Sequence, residues 1–320
     1  EAFEAYMRGR SEWAKRNPLS LQQSVAHFEE ALRREPNYAL AWAALANTYA
    51  LLGSSPYDML PAHEAVPQAK EAARQALALD QALADAHHAL AHALLFYDWD
   101  WKGAEREFQH AIEQNPGYAT ARQWYAEYLW VTGRTEEALG QLQQALGYDP
   151  HSIVVQLAIG RHYYLTRQYE QALALYRDAI GDEPSLFLGH LHLGLALVQT
   201  GQHEEALAAL ERAVELFPGS PLCLAALGHA QARAGQEEQA RAVAAQLEQM
   251  ASQRPVQALY IAGVYAGLGD NERAFGWLER AYQERSTYVI FLGIEPIFDP
   301  VRDDPRFGQL IGRIGLPAPD

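Results

Sequence analysis

The sequence predicts an all-α protein: a right-handed α-solenoid of about eight helix–turn–helix repeats, closed by a C-terminal capping segment. Three observations carry this. Pro116, Pro150, Pro184 and Pro218 stand 34 residues apart, as do Ala138, Ala172, Ala206, Ala240 and Ala274. Two further rows keep the spacing: Ala111, Ala145, Ala179, Ala213, Leu247, Ala281, and Ala126, Gly160, Gly194, Gly228, Ala262. Finally, 49% of the residues are hydrophobic, enough to fill a continuous core. A period of this length marks units that bury their apolar faces only by stacking on their neighbours.

The fourth repeat shows the logic. Helix A is expected over 119–132 and helix B over 135–147. Gly133 ends helix A, because the left-handed residue after a helix is cheapest as glycine. The same offset recurs at Gly201, Gly235 and Gly269. Ala126 and Ala138 let the two helices approach, Trp124, Tyr125 and Leu129 supply bulk, and Pro150 follows helix B, where proline cannot continue a helix. Repeats are read at 3–38, 39–83, 84–118, 119–152, 153–186, 187–220, 221–254 and 255–285. The first is degenerate, with Arg10 where a small residue belongs. The second carries about eleven extra residues between Gly53 and Gln68, with Pro56, Pro61 and Pro67 among them. The third has one extra residue around Asp98-Trp99-Asp100-Trp101. After Arg285 the period stops. Phe307, Leu310, Ile311 and Ile314 then form one apolar helical face, so 286–320 reads as a cap over the last open groove.

These offsets resemble the tetratricopeptide repeat (TPR), with its bulky–small–aromatic helix A and alanine-rich helix B ending in proline. The stretches Asn37–Trp42, Tyr97–Trp101, Trp124–Leu129 and Phe298–Phe307 look like one bacterial subgroup of these repeats. The resemblance implies a C-terminal array in a larger signalling protein, behind a serine/threonine kinase, a winged-helix regulator or a cyclase. The start at Glu1 suits a piece of a longer chain.

The net charge of −15 disfavours nucleic acid, which needs phosphate-neutralising cations, and anionic membrane surfaces, and suits a basic or apolar partner better. One cysteine, Cys223, excludes a disulfide framework and a cysteine zinc site. It lies mid-helix between Leu222 and Leu224 and reads as a buried small residue. No run nears the roughly 18 apolar residues a membrane helix needs. The compartment is open: cytoplasmic by default, outside the cytoplasm if a membrane span precedes Glu1. No phosphate loop, kinase motif set or nucleophile elbow is present, so no enzyme and no cofactor is expected.

The resemblance implies a concave face lined by helix A positions 2, 5, 9, 12 and 13, with 6 nearby. Counted from the third repeat, these give His88 and His92, then Gln123, Trp124, Glu127 and Trp130. Further on they give Leu157, Arg161 and Tyr164, then Leu191, His192 and Leu195, and finally His229 and Arg233. Aromatics beside a few charges are what a peptide anchor site needs. The alternative is packing between repeats, or an Arg161–Glu127 pair across helices. Some relatives hold a peptide carboxylate with a Lys/Asn/Arg clamp. Asn47 takes the Asn place here, but Ala43 and Ala89 stand where the cations belong, so that clamp is absent. His87, His88 and His92 lack the spacing of a metal set, and no metal is expected. At least one of Trp99 and Trp101 is expected to tuck onto the adjacent repeat while Asp98 or Asp100 caps helix B, the alternative being an exposed aromatic contact. Tyr57 and Met59 are the apolar contacts of the insertion. The expected function is a non-catalytic module that binds a protein or peptide in its groove. Self-association as a homodimer is the alternative, and a small-ligand sensor a weaker one.

Overall fold

The computed structural model describes residues 1–316; the last four residues of the expected cap lie outside it. The chain divides into two compact bodies, Glu1–Tyr128 and Leu129–Asp320. Among the described residues the fold is an all-α solenoid without strands.

The N-terminal body contains α1 (Ala2–Ala14), α2 (Pro18–Arg34), α3 (Ala39–Leu52), α4 (Ala62–Leu79), α5 (Ala84–Ala93) and α6 (Trp101–Gln114). Helix α7 (Ala119–Val131) carries the chain across the boundary. Then follow α8 (Thr135–Tyr148), α9 (Ile153–Leu165), α10 (Tyr169–Asp182), α11 (Phe187–Gln199), α12 (His203–Leu216), α13 (Pro221–Arg233), α14 (Glu237–Ala251), α15 (Ala258–Gly267) and α16 (Asn271–Gln283). Two 3₁₀ turns, Thr287–Phe291 and Pro296–Val301, lead to α17 (Pro305–Ile314).

The first repeat starts one residue earlier than the sequence suggests, and that shift removes its degeneracy. With α1 beginning at Ala2, the small residue is Gly9, not Arg10. A Cβ on Gly9 would stand 2.5 Å from the Phe28 ring of α2. Phe28 thus packs on bare backbone, inside a core with Tyr6, Ala31, Leu45 and Ala73.

The irregularities of repeats two and three fold inward. Pro67 lies inside α4, so much of the insertion lengthens that helix at its start, leaving 53–61 as the loop. Tyr57, Met59 and Leu60 pack on Leu21, Leu51 and Leu52, and the Met59 and Leu60 amides donate to the Leu52 carbonyl. The extra residue of repeat three is absorbed by a π turn, Leu94–Asp98, the usual way to take one residue into a helix without breaking it. Trp99 follows in the left-handed region at φ +58°, and both Trp99 and Trp101 are half-buried. Asp100 caps α6 by accepting from the Gly103 amide at 3.0 Å, as expected of a residue before a helix. Asp98 pairs with the Lys70 ammonium instead.

Turn glycines at positive φ recur at Gly133, Gly201, Gly235 and Gly269, but the fifth repeat has Arg167 in that place, at φ +65°. An L-residue there costs about 1–2 kcal/mol. Its guanidinium donates to the Ile294 carbonyl at 3.1 Å and to Asp299 Oδ1 at 2.9 Å.

The C-terminal segment therefore does more than end the stack. Helix α17 buries Phe307, Leu310, Ile311 and Ile314 as its pattern predicts, and packs on α16. The preceding 3₁₀ turns run back across the helix A faces as far as α9, with Val289, Ile290, Phe291, Phe298 and Val301 buried.

Candidate functional site

Two surfaces carry the helix A positions expected to line a groove, one in each body.

In the C-terminal body that surface is filled by the chain's own tail. The Arg161 guanidinium lies over the Phe291 ring at 4.8 Å and the Tyr288 ring at 5.4 Å, and 3.7 Å from Glu295 Oε2. Tyr164 is buried, and burial, together with the nearby Glu295 carboxylate, holds its pKa well above the ordinary value. Burial holds the Glu295 carboxyl above its ordinary pKa, against the opposing pull of Arg161 and Tyr164. His192 is half-buried and stacks on Tyr176 with ring centres 5.5 Å apart; burial lowers its pKa to about 3. His229 is buried, its Nδ1 donates to the Gly263 carbonyl at 2.8 Å, and burial lowers its pKa to about 4. Trp130 is 1% exposed, and its indole N–H donates to His162 Nδ1 at 3.2 Å. Trp130, Tyr164 and His229 are thus corrected from groove lining to core, and Arg161 and His192 to partners of packing inside this body. For Arg161 and Tyr164 the physical reason is the tail, whose aromatic rings and carboxylate supply what a ligand would otherwise bring; Trp130, His192 and His229 are held by His162, Tyr176 and Gly263 of neighbouring helices.

In the N-terminal body His88 and His92 are also core. The Asn47 amide nitrogen donates to the Ala43 and Asp85 carbonyls at 3.0 and 2.9 Å, which leaves its oxygen to accept from His88 Nδ1 at 2.8 Å. His92 Nε2 stands 3.2 Å from Ser54 Oγ. Burial lowers the His88 pKa to about 3 and takes His92 well below its usual value, so both are neutral. Half-buried Trp124 covers them, with ring centres 5.0 and 4.4 Å away. Glu127 is buried on α7. Asn47, whose amide is spent within the fold, offers no free clamp group.

Above this layer lies a shallow open recess, lined by Tyr6, Arg10 and Trp13 of α1, Leu40, Ala43, Ala44 and Asn47 of α3, and Asp85 of α5. Counted from Ala2, Ala39 and Ala84, these residues fall at helix A positions 2, 5, 6, 9 and 12 of three successive repeats. The Arg10 guanidinium donates to the Tyr6 hydroxyl at 3.1 Å. The Arg16 guanidinium lies over the Trp13 ring at 3.6 Å, and burial pulls its pKa below the ordinary arginine value. Among the described residues neither cation meets a carboxylate: their neighbours are aromatic. Asp85 is already engaged, accepting from the Tyr118 hydroxyl at 3.0 Å. The Trp13 indole N–H is buried without an acceptor. Sequence reasoning missed this site through the one-residue offset in repeat one. The signal was present: Gly9 is the small residue, and placing it in register moves Arg10 onto the groove.

Models of the tetratricopeptide repeat match residues 94–153 and 157–221, and a second such model matches 197–262. Together they cover just over half of the chain. Among curated proteins, the transcriptional regulator HilA of Salmonella typhimurium is 28% identical over 145 residues, 45% of this chain. That match spans only 26% of the regulator's length. Similar solved structures share the fold at low identity. A thermophilic TPR protein of Thermus thermophilus superposes with a TM-score of 0.53 at 20% identity, over 62% of this chain and all of that one. Yeast Tom70 gives 0.59 at 16%, over 98% and 67%. The human IFIT1 dimer structure gives 0.63 at 17%, over 87% and 72%.

Proposed function

We propose, for a chain that belongs to the tetratricopeptide repeat family, that it is a non-catalytic module whose N-terminal concave recess binds an acidic peptide segment of a partner protein. The fold generally mediates protein–protein interaction. The observation that carries the reading is Arg10 on the recess and Arg16 against its Trp13 wall, two guanidiniums without an ion pair among the described residues, in a chain of net charge −15. Both guanidiniums are propped by aromatic rings, which hold them for a bidentate acceptor. The Trp13 N–H adds a donor, and Leu40, 44% exposed, with Ala43 and Ala44 offers an apolar floor for a neighbouring side chain. Attraction between an acidic ligand and this patch raises specificity and association rate more than affinity.

The match to the regulator HilA supports a place in a larger bacterial signalling protein, with this array as its partner-sensing part.

The test is selection of random peptides on the wild-type chain, followed by anisotropy titrations on the Arg10→Glu, Arg16→Glu variant. Selected peptides rich in Asp and Glu, losing about tenfold or more in affinity on the variant, are the expected result. Enrichment of basic peptides, equal binding to the variant, or binding of an RNA oligonucleotide in place of peptides overturns the reading.

A further inference from the structure

We infer that the third repeat contains a binding site for a transition-metal dication of the zinc class, built from His87 of α5 and Glu107 and His110 of α6. The ligating atoms of these three side chains lie within 4.8 Å of one another. Ions of this class hold N and O donors at about 2.0–2.2 Å, which puts donors on one ion roughly 3–3.5 Å apart. Small rotamer adjustments therefore suffice.

The three histidines that crowd the sequence at 87–92 do different work. His88 and His92 face inward and neutral, whereas His87 turns to the other helix of its own repeat. Its Nε2 lies 2.9 Å from the Gln81 carbonyl, which can only accept, so that nitrogen carries the hydrogen. Its Nδ1 lies 2.7 Å from Glu107 Oε2, a hydrogen-bonded ion pair when the imidazole is protonated. A metal ion there takes the place of that proton, as metal binding to histidine does when it releases protons. An imidazole that donates one ring N–H to a backbone carbonyl while its other nitrogen binds metal is the usual outer-shell arrangement of histidine ligands.

Helix α6 supplies the other two donors at i and i+3, on one face by helical geometry. The ring of His110 meets that of His87 edge-on, with centres 5.2 Å apart. The remaining carboxylate oxygen, Glu107 Oε1, is held by Arg106 Nε at 3.3 Å, which orients the carboxylate and leaves Oε2 for the ion. His87 and Glu107 are buried while His110 reaches the surface, so the site has fixed ligands below and an entry path above. Three protein donors leave a fourth position for water or a partner's side chain. The imidazole and carboxylate set selects zinc-class ions over calcium or magnesium, which prefer all-oxygen shells. Such an ion would staple α5 to α6, and α5 carries Asp85 and the His88–Asn47 bond beneath the recess.

The experiment is titration of chelator-treated full chain with Co²⁺ and Zn²⁺, read by cobalt absorption and calorimetry, with Mg²⁺ alongside. One equivalent of Co²⁺ with tetrahedral d–d bands, displaced by Zn²⁺ and untouched by Mg²⁺, is the expected result. His110→Ala, a surface-reaching ligand whose loss leaves the core intact, abolishes that equivalent while circular dichroism stays unchanged. His203→Ala, elsewhere on the chain, leaves it in place. Absence of a stoichiometric equivalent in the wild-type chain, or its survival in His110→Ala, overturns the assignment.

Discussion

The same helix A face meets opposite fates in the two bodies. In the C-terminal body Arg161 sits under the rings of Tyr288 and Phe291 beside Glu295. In the N-terminal body Arg10 and Arg16 lie against aromatic rings of their own helix and its exit, with no acidic partner among the described residues. An arginine at a groove position is therefore no evidence of a free groove. What separates the two is whether another part of the chain has supplied the aromatic and the carboxylate.

Removing the tail breaks this comparison most violently. Truncation after Ser286 strips Val289, Ile290, Phe291, Phe298, Val301 and Phe307 from the C-terminal body. At about 1.5–3 kcal/mol for each large side chain exposed, this exceeds the whole stability of many domains. The expected outcome in calorimetry is loss of that body's cooperative transition, with the N-terminal body's transition unmoved. Phe298→Ala alone is expected to cost about 3–5 kcal/mol.

Charge reversal sharpens the contrast. Arg161→Glu places a second carboxylate beside buried Glu295 and is expected to destabilise the chain by about 3–5 kcal/mol. Arg10→Glu, on an exposed residue with no ion pair among the described residues, is expected to change stability by under about 0.5 kcal/mol while weakening acidic-peptide binding. Thermal melts of the two single variants decide it: equal losses would show that the recess arginines are structural.

Acid separates the bodies more gently. The buried imidazoles of His88, His92, His192 and His229 have folded pKa values far below 6.5. Unfolded, they take up protons as the pH falls through 6.5 while the folded chain does not. Their contribution is complete above that value and is lost as the pH falls toward about 3–4. Glu295 works the other way. Its pKa is raised from 4.5, so its contribution is present below that value and lost as pH rises through the folded pKa. Glu295→Gln is therefore expected to make the C-terminal body lose more stability than wild type between about pH 6.5 and 4.5, with the N-terminal body unchanged in the same melts.

The smallest effect is expected at Arg167. Glycine there relieves about 1–2 kcal/mol of left-handed strain and forfeits a half-exposed pair worth about 0–1 kcal/mol. Arg167→Gly should leave stability level or slightly raised, and Arg167→Ala, which keeps the strain, should lower it. A drop in both would show that the clamp outweighs the strain.

The sequence alone determined the helices, their order and most of their ends. The 34-residue rows mark small residues where helices touch and glycines where they stop, and those are local requirements repeated in register. In repeat four the observed helices depart from the expected bounds by a single residue. The π turn and the extension of α4 were legible as extra residues, though not as structure. Only the tertiary structure decided which groove is open. Residues 287–301 lie 120 or more positions from Arg161 and Arg167, and no periodicity connects them. The tail's place rests on burial of its aromatics against distant helices and on one guanidinium at a strained turn. Burial also settled His88, His92, Trp130, Tyr164 and His229. Sequence position puts a side chain on a helix face, but only packing says what covers that face.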